Sequence, residues 1–174
     1  MKKIMCALIC CLAQNVFANE IPLELEFART EEARSFGLMQ RRALKKNQGM
    51  LFIYPKPQVA NIWMFNCFID LSVAFLDANH IIQEIHELKA YPEKMNLLLP
   101  IKNYHDLVLY SQNNSIAEFF LKKSLKSSFK VSFVLEMNAK WFYNAQVVVG
   151  DLVSWNETTG RAFVVKKMKY LDKN

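Results

Sequence analysis

Residues 49–77 read GMLFIYPKPQVANIWMFNCFIDLSVAFLD, three apolar runs set apart by turn chemistry. Residues 50–54 are apolar throughout and bounded by Gly49 and Pro55, which predicts a strand buried on both faces. PKPQ, residues 55–58, reads as a turn, residues 62–65 as a second, aromatic strand and residues 71–76 as a third. Asp77-Ala78-Asn79-His80 has hairpin-turn chemistry, because Asp and Asn tolerate the left-handed region, and it leads into a strand over 81–86.

Upstream of this block, residues 21–27 alternate Leu23, Leu25 and Phe27 with Glu24 and Glu26, the period of a strand with one wet face. Thr30 then offers an N-cap, and Glu31 and Glu32 place negative charge in a first helical turn. Ala33, Phe36, Gly37 and Gln40 recur at helical spacing, so a short helix follows. Arg41, Arg42, Lys45 and Lys46 form a basic connection, read as a solvated loop with ligand binding as the alternative. The chain has only four glycines, and Gly37, Gly49 and Gly150 sit in GLM, GML and VGD, where they are expected to act as structural pivots.

Downstream, residues 88–130 change character. They contain Pro92, Pro100, a strand candidate at 107–110, and SIAEFFLKKSLKSSFK. Ser115 and Glu118 make a capping box for a helix from Ile116. At helical spacing Lys122, Lys123 and Lys126 share a side with Phe119, while Ala117, Phe120, Leu121 and Leu125 lie on the other. The β pattern resumes at 131–136, and Asn138 can cap a helical turn through Trp141 and Phe142. A strand at 147–149 runs into the Gly150-Asp151 turn, and 152–155 with 161–165 flank NETTG as a terminal hairpin. The fold class is therefore mainly β, α+β to a minor degree: a small barrel or sandwich with two or three short helices.

The N-terminus, MKKIMCALICCLAQNVFANE, has the layout of a secretory leader, with Lys2 and Lys3 ahead of a short apolar run and Val16-Phe17-Ala18 as the cleavage signal. Cleavage is expected after Ala18, leaving a single domain over 19–174, exported to a periplasmic or extracellular space and without a transmembrane segment. The leader takes three of the four cysteines and lowers the formal charge from +6 to +4. Cys67 alone remains, so no intramolecular disulfide can form.

GLMQRRAL, GMLFIY, IWMFNCFIDLSVAFLD, FVLEMNAKW and VVVGD, in that order, resemble the domain of unknown function 192 family, small and often exported proteins. The resemblance implies a jelly-roll-like barrel, with an insertion around 95–128, and brings no activity with it. The family pattern is close to F-W-M-K-N-T-x-x-P-L-D. Here Phe65 replaces its lysine, Cys67 its threonine, Asp70 its proline and Ser72 its aspartate, and Lys140 stands where the family has glycine. Asp70 could restore a carboxylate two residues before Ser72 on the same strand face.

Within the matched blocks Arg34, Arg41, Trp63, Asn66 and Glu136 are the candidate ligand-binding residues, with an Arg guanidinium receiving a carboxylate or phosphate. The bland alternative pairs Arg34 or Arg41 with Glu136 and leaves Trp63 in the core. His80, Glu84 and His86 are read on one strand face, a polar edge rather than a metal site, and no metal or other cofactor is expected. Cys67 is read as a buried thiol, and Met39, Met50, Met64 and Met137 as core filling rather than Cu(I) ligands. The lysines from Lys122 to Lys130, with Phe119 and Phe129, make a weaker interaction surface for anionic lipid or an envelope polyanion, with Phe119, Lys122, Lys123 and Lys126 as its first members. Nucleic acid is not expected as a partner of an exported chain.

The leading expectation is an exported, non-enzymatic domain that binds a small anionic ligand or an envelope component. A hydrolase or metal-dependent enzyme is the alternative, although no G-x-S-x-G, H-E-x-x-H, P-loop or Rossmann glycine pattern supports it. Interaction through the inserted basic helix is a further one. Catalytic residues are not assigned.

Overall fold

The first strand, β1 (Glu20–Ala28), follows the alternation read from Leu23 to Phe27. Thr30 caps α1 (Glu31–Phe36), its Oγ1 accepting from the Ala33 amide at 3.1 Å. The structure is a computed structural model and describes residues 20–95, 105–106 and 115–167. The leader and the strand candidate at 107–110 lie outside the described residues. Beyond α1 come β2 (Gln48–Ile62), β3 (Leu71–Leu76), β4 (Ile82–Leu88), a short 3-10 turn (Pro92–Lys94), α2 (Ser115–Lys122), β5 (Leu125–Asn138), α3 (Trp141–Asn144), β6 (Leu152–Trp155) and β7 (Ala162–Val165).

The strands form one sheet in the order β4-β3-β5-β2-β1-β7-β6. Among the described strands only β1 with β2 is parallel; the other pairings are antiparallel. The edges at the two ends of that order meet: Ile81 bridges Leu152, the Ile82 amide donates to Asp151 O at 2.9 Å, and the Val153 amide donates to His80 O at 3.0 Å. The sheet thus curls into the barrel-like form expected.

Both faces of the central strands are covered. Strand β3 is buried at every position; its residues are apolar except Ser72, whose hydroxyl is satisfied by Glu87. One face carries Met50, Phe52, Val73, Phe75 and Val134 beneath the 37–39 segment, Phe65 and the Phe120 ring of α2. The other carries Leu51, Ala74, Leu135 and Met137 beneath Trp141, Phe142 and the β6–β7 hairpin. The four methionines singled out are buried in these clusters, Met39, Met50 and Met64 on one face and Met137 on the other.

Gly49 lies opposite Met137 in the β2–β5 ladder, close against the β5 backbone. A Cβ there would stand 2.3 Å from Glu136 O and 2.3 Å from Met137 Sδ, so no side chain fits. Gly37 closes α1 at φ 53, a conformation that glycine adopts without steric cost.

Several sequence expectations are corrected. PKPQ is not a turn between two strands: β2 runs through it for 15 residues, and the ladder to β5 jumps from Ile53↔Phe133 to Gln58↔Val131. Pro55 and Pro57 fall inside this irregularity, where the amides they lack are not needed. The strand read at 62–65 ends at Ile62, because Asn66 turns the chain at φ 57. Residues 147–149 form a turn region rather than a strand, held by Asp151 Oδ2 accepting from the Val148 amide at 2.9 Å. Asn138 does not cap α3; Lys140 holds that place at φ 61, while the Asn138 amide group donates to Lys45 O at 2.8 Å. Lys126 and Leu125 belong to β5 and not to the helix, and Leu121, read as core-facing, is exposed.

Candidate functional site

Alternation along β2 sends Met50, Phe52 and Tyr54 to one face of the sheet, and the register Met50↔Glu136 places Glu136 on that same face. Segment 37–39, entered through the Gly37 turn, packs over this face, and α1 stands beside it. Between them is a cavity of about 510 Å³, in the size range of small-molecule sites. Arg34 from α1, Tyr54 from β2, Trp63, Cys67 and Glu136 all border it, with Phe36, Phe52 and Phe65 supplying apolar wall.

Glu136 is buried at 4% exposure. Burial alone raises its pKa from 4.5 to about 8, so the group is mostly the neutral acid at pH 7. No hydrogen bond or ion pair reaches its carboxyl group among the described residues. Yet no fully enclosed side-chain nitrogen or oxygen among them lacks a partner. Both conditions hold if the carboxyl oxygens face the cavity, whose lining includes this residue.

Arg34 is held at the cavity wall through one nitrogen. Its Nη1 donates to Ile53 O at 3.0 Å and to Arg29 O, and the guanidinium carbon lies 5.6 Å from the Tyr54 ring centroid. The described residues offer no acceptor to Nε or Nη2. Burial, with the Glu136 charge as a lesser cause, pushes the Tyr54 phenol up to about 12, and Arg34 opposes the shift. Trp63 stacks on Phe65 at 4.9 Å, and Phe65 meets Phe120 edge-on at 5.5 Å, so helix α2 buttresses the cavity's aromatic wall.

Of the five residues chosen from the sequence, Arg34, Trp63 and Glu136 meet at this cavity, and Arg41 and Asn66 do not line it. Arg41 pairs with Glu26 at 2.7 Å on the surface, and Asn66 turns the backbone, its carbonyl accepting from the Gln40 amide at 2.9 Å. The Arg–Glu136 pair of the bland alternative is absent among the described residues, and burial is what acts on the Glu136 carboxyl. Tyr54 and Phe52 escaped sequence reading because their convergence with Glu136 depends on the β2–β5 register, and Phe36 because its place depends on how α1 packs on the sheet. Alternation along β2 was the available signal.

The remaining candidates are tied elsewhere. His80 is not on the strand face of Glu84 and His86: it sits in the preceding turn, stacked on Trp155 at 4.0 Å. Glu84 bonds His86 at 3.0 Å and accepts from the Ser128 amide at 2.8 Å. Asp70 precedes β3 and accepts from the Ala90 amide at 2.7 Å, so it does not replace a carboxylate at Ser72, which bonds Glu87. The Cys67 thiol is buried and its pKa is driven up, by burial first and by Glu136 second, which leaves it a poor nucleophile.

Comparison with known proteins agrees with the fold. Two solved structures are similar over about three quarters of each chain, both at 24% identity. One, from Sinorhizobium meliloti 1021, is described as a candidate transcription regulator; it covers 75% of this chain and 79% of its own, with a TM-score of 0.55. The other is a protein of unknown function from Novosphingobium aromaticivorans, covering 76% and 75%, with a TM-score of 0.57. At this identity the likeness speaks for fold only. No curated protein matches. The family model described as Uncharacterized ACR matches residues 14–155, and the chain belongs to that family, domain of unknown function 192.

Proposed function

We propose that this protein is an exported binding domain whose cavity takes a small organic acid without turning it over. The observation that supports this reading is the pairing, in one cavity, of a guanidinium with two uncommitted nitrogens and a buried carboxyl group kept neutral. With Nη1 committed to backbone carbonyls, the Nε and Nη2 edge of Arg34 is the fork left for a carboxylate. Glu136, as the neutral acid, donates its O–H to an acceptor elsewhere on the ligand and adds no negative charge to repel it. Trp63, Phe36 and Phe52 suit a ligand with an apolar or aromatic body. The ligand class is thus a carboxylate at one end, a hydrogen-bond acceptor at the other and an apolar middle.

Glu136 also suits a second reading. A buried carboxyl group that holds its proton at neutral pH is what a general acid needs, so a hydrolase would use this residue. Ligand-observed NMR with a panel of aromatic and aliphatic carboxylates, each beside its amine counterpart, separates the outcomes. Acids are expected to bind, amines not, and Arg34→Ala to abolish the signal. Binding unaffected by Arg34→Ala, or preference for amines, would remove the proposal. Cleavage of esters or amides of the bound acids, lost in Glu136→Gln, would favour the hydrolase.

A further inference from the structure

Of the surface expected from the sequence, Phe119 is not exposed and Lys126 belongs to β5, while Phe129 is exposed. Phe119 packs against the core, meeting Tyr91 edge-on at 5.2 Å with Lys94 Nζ 5.6 Å above its ring, and Lys122 pairs with Glu118 at 2.8 Å. Two of the six exposed large apolar side chains among the described residues lie where β2 and β5 continue beyond their irregularity. Val59 is 51% exposed and Phe129 58%.

These residues share one end of a two-stranded ribbon. Val59 pairs with Lys130 and Asn61 with Lys126, so both lysines stand on the outward face with Val59. That face is opposite to the buried Ala60 and Ile62. Phe129 falls in the bulge between the two lysines. The bulge is fixed by Ser127, whose hydroxyl accepts from the Ala60 amide at 3.0 Å and donates to Phe129 O at 2.6 Å, and by Ser128, bonded to Glu84. Residues 54–62 and 125–131 contain no acidic side chain, and Glu84, the carboxylate that touches the ribbon, is engaged by Ser128 and His86.

We infer that this ribbon end is a peripheral docking surface for an anionic lipid bilayer, with Phe129 and Val59 entering the headgroup boundary and Lys126 and Lys130 meeting the lipid charge. Two apolar side chains are too few for a stable protein interface, which buries about 800 Å² on each partner. They match shallow insertion, and the lysines beside them supply the electrostatic half of such binding. The bulge hydrogen bonds hold Phe129 out in water in advance, so docking does not have to expose it.

The test is cosedimentation of the full chain with phosphatidylcholine vesicles, with and without phosphatidylglycerol. Residues 4–13 are themselves apolar, so the contrast between variants of the same chain carries the result. Lys126→Glu with Lys130→Glu is expected to lower partitioning onto the anionic vesicles by about tenfold or more. Phe129→Ser, at an exposed position that leaves the core intact, should also weaken it, and binding should fall with added salt. Equal binding to neutral vesicles, or variants that sediment like the wild type, would overturn the inference. So would capture by polyglutamate with no binding to vesicles, which would assign the lysines to an acidic polypeptide.

Discussion

Replacing Glu136 by Gln keeps the size and hydrogen-bonding capacity of the neutral acid and removes its ionisation. In the folded protein the group titrates near 8 because it is buried, and 4.5 is the unperturbed value. A native pKa raised above the unfolded one means that the folded state holds a proton the unfolded chain releases. Stability from this group is therefore full below pH 4.5 and is lost progressively as the pH rises through 8. At 1.36 kcal/mol per unit, the loss is about 5 kcal/mol, and water entering from the cavity reduces it to about 2–5 kcal/mol. Urea unfolding of wild type and Glu136→Gln at half-unit intervals from pH 4.5 to 9 reads this directly. The two should have similar stability at pH 4.5, and the variant should gain on the wild type steadily to pH 8. A constant difference across that range would refute the assignment of a neutral, buried acid at the cavity.

Gly49→Ala should destabilise the fold by about 2–3 kcal/mol or more, since its Cβ would meet the β5 backbone at Glu136; an unchanged denaturation midpoint would mean that the strands can part there. Lys140→Gly should stabilise the protein by about 0.5 kcal/mol, because relief of a left-handed lysine at φ 61 outweighs the entropy that glycine adds to the unfolded chain. Thermal melting decides the sign, and a lower Tm would contradict it. In wild type against Cys67→Ser, native Cys67 should resist a thiol reagent at pH 8 and be labelled only at the rate of unfolding; fast labelling would show the thiol to be accessible.

Legibility from sequence followed the range of the forces involved. Local signals held: the Thr30 cap, the apolar run of β3 and the terminal hairpin are each set by neighbouring residues, and all three are present. Readings failed where a tertiary partner decided the outcome. The prolines at 55 and 57 signal a turn, yet pairing of both flanks with β5 carries β2 straight through them. At the site, Arg34, Trp63 and Glu136 could be picked as polar or aromatic members of matched blocks. Their meeting at one cavity with Tyr54 depends on register, which one sequence does not carry. Arg41 looked equivalent to Arg34, and its partner Glu26, 15 residues earlier on β1, could be paired with it only once β1 was placed beside β2.

Native mass spectrometry of the protein purified from the cells that make it tests the central claim most directly. A retained adduct with the mass of a small organic acid, present in the wild type and absent from Arg34→Ala, is the predicted result. A bare wild-type mass after gentle isolation, or an adduct kept equally by Arg34→Ala, would contradict the assignment of the Arg34–Glu136 cavity as the binding site.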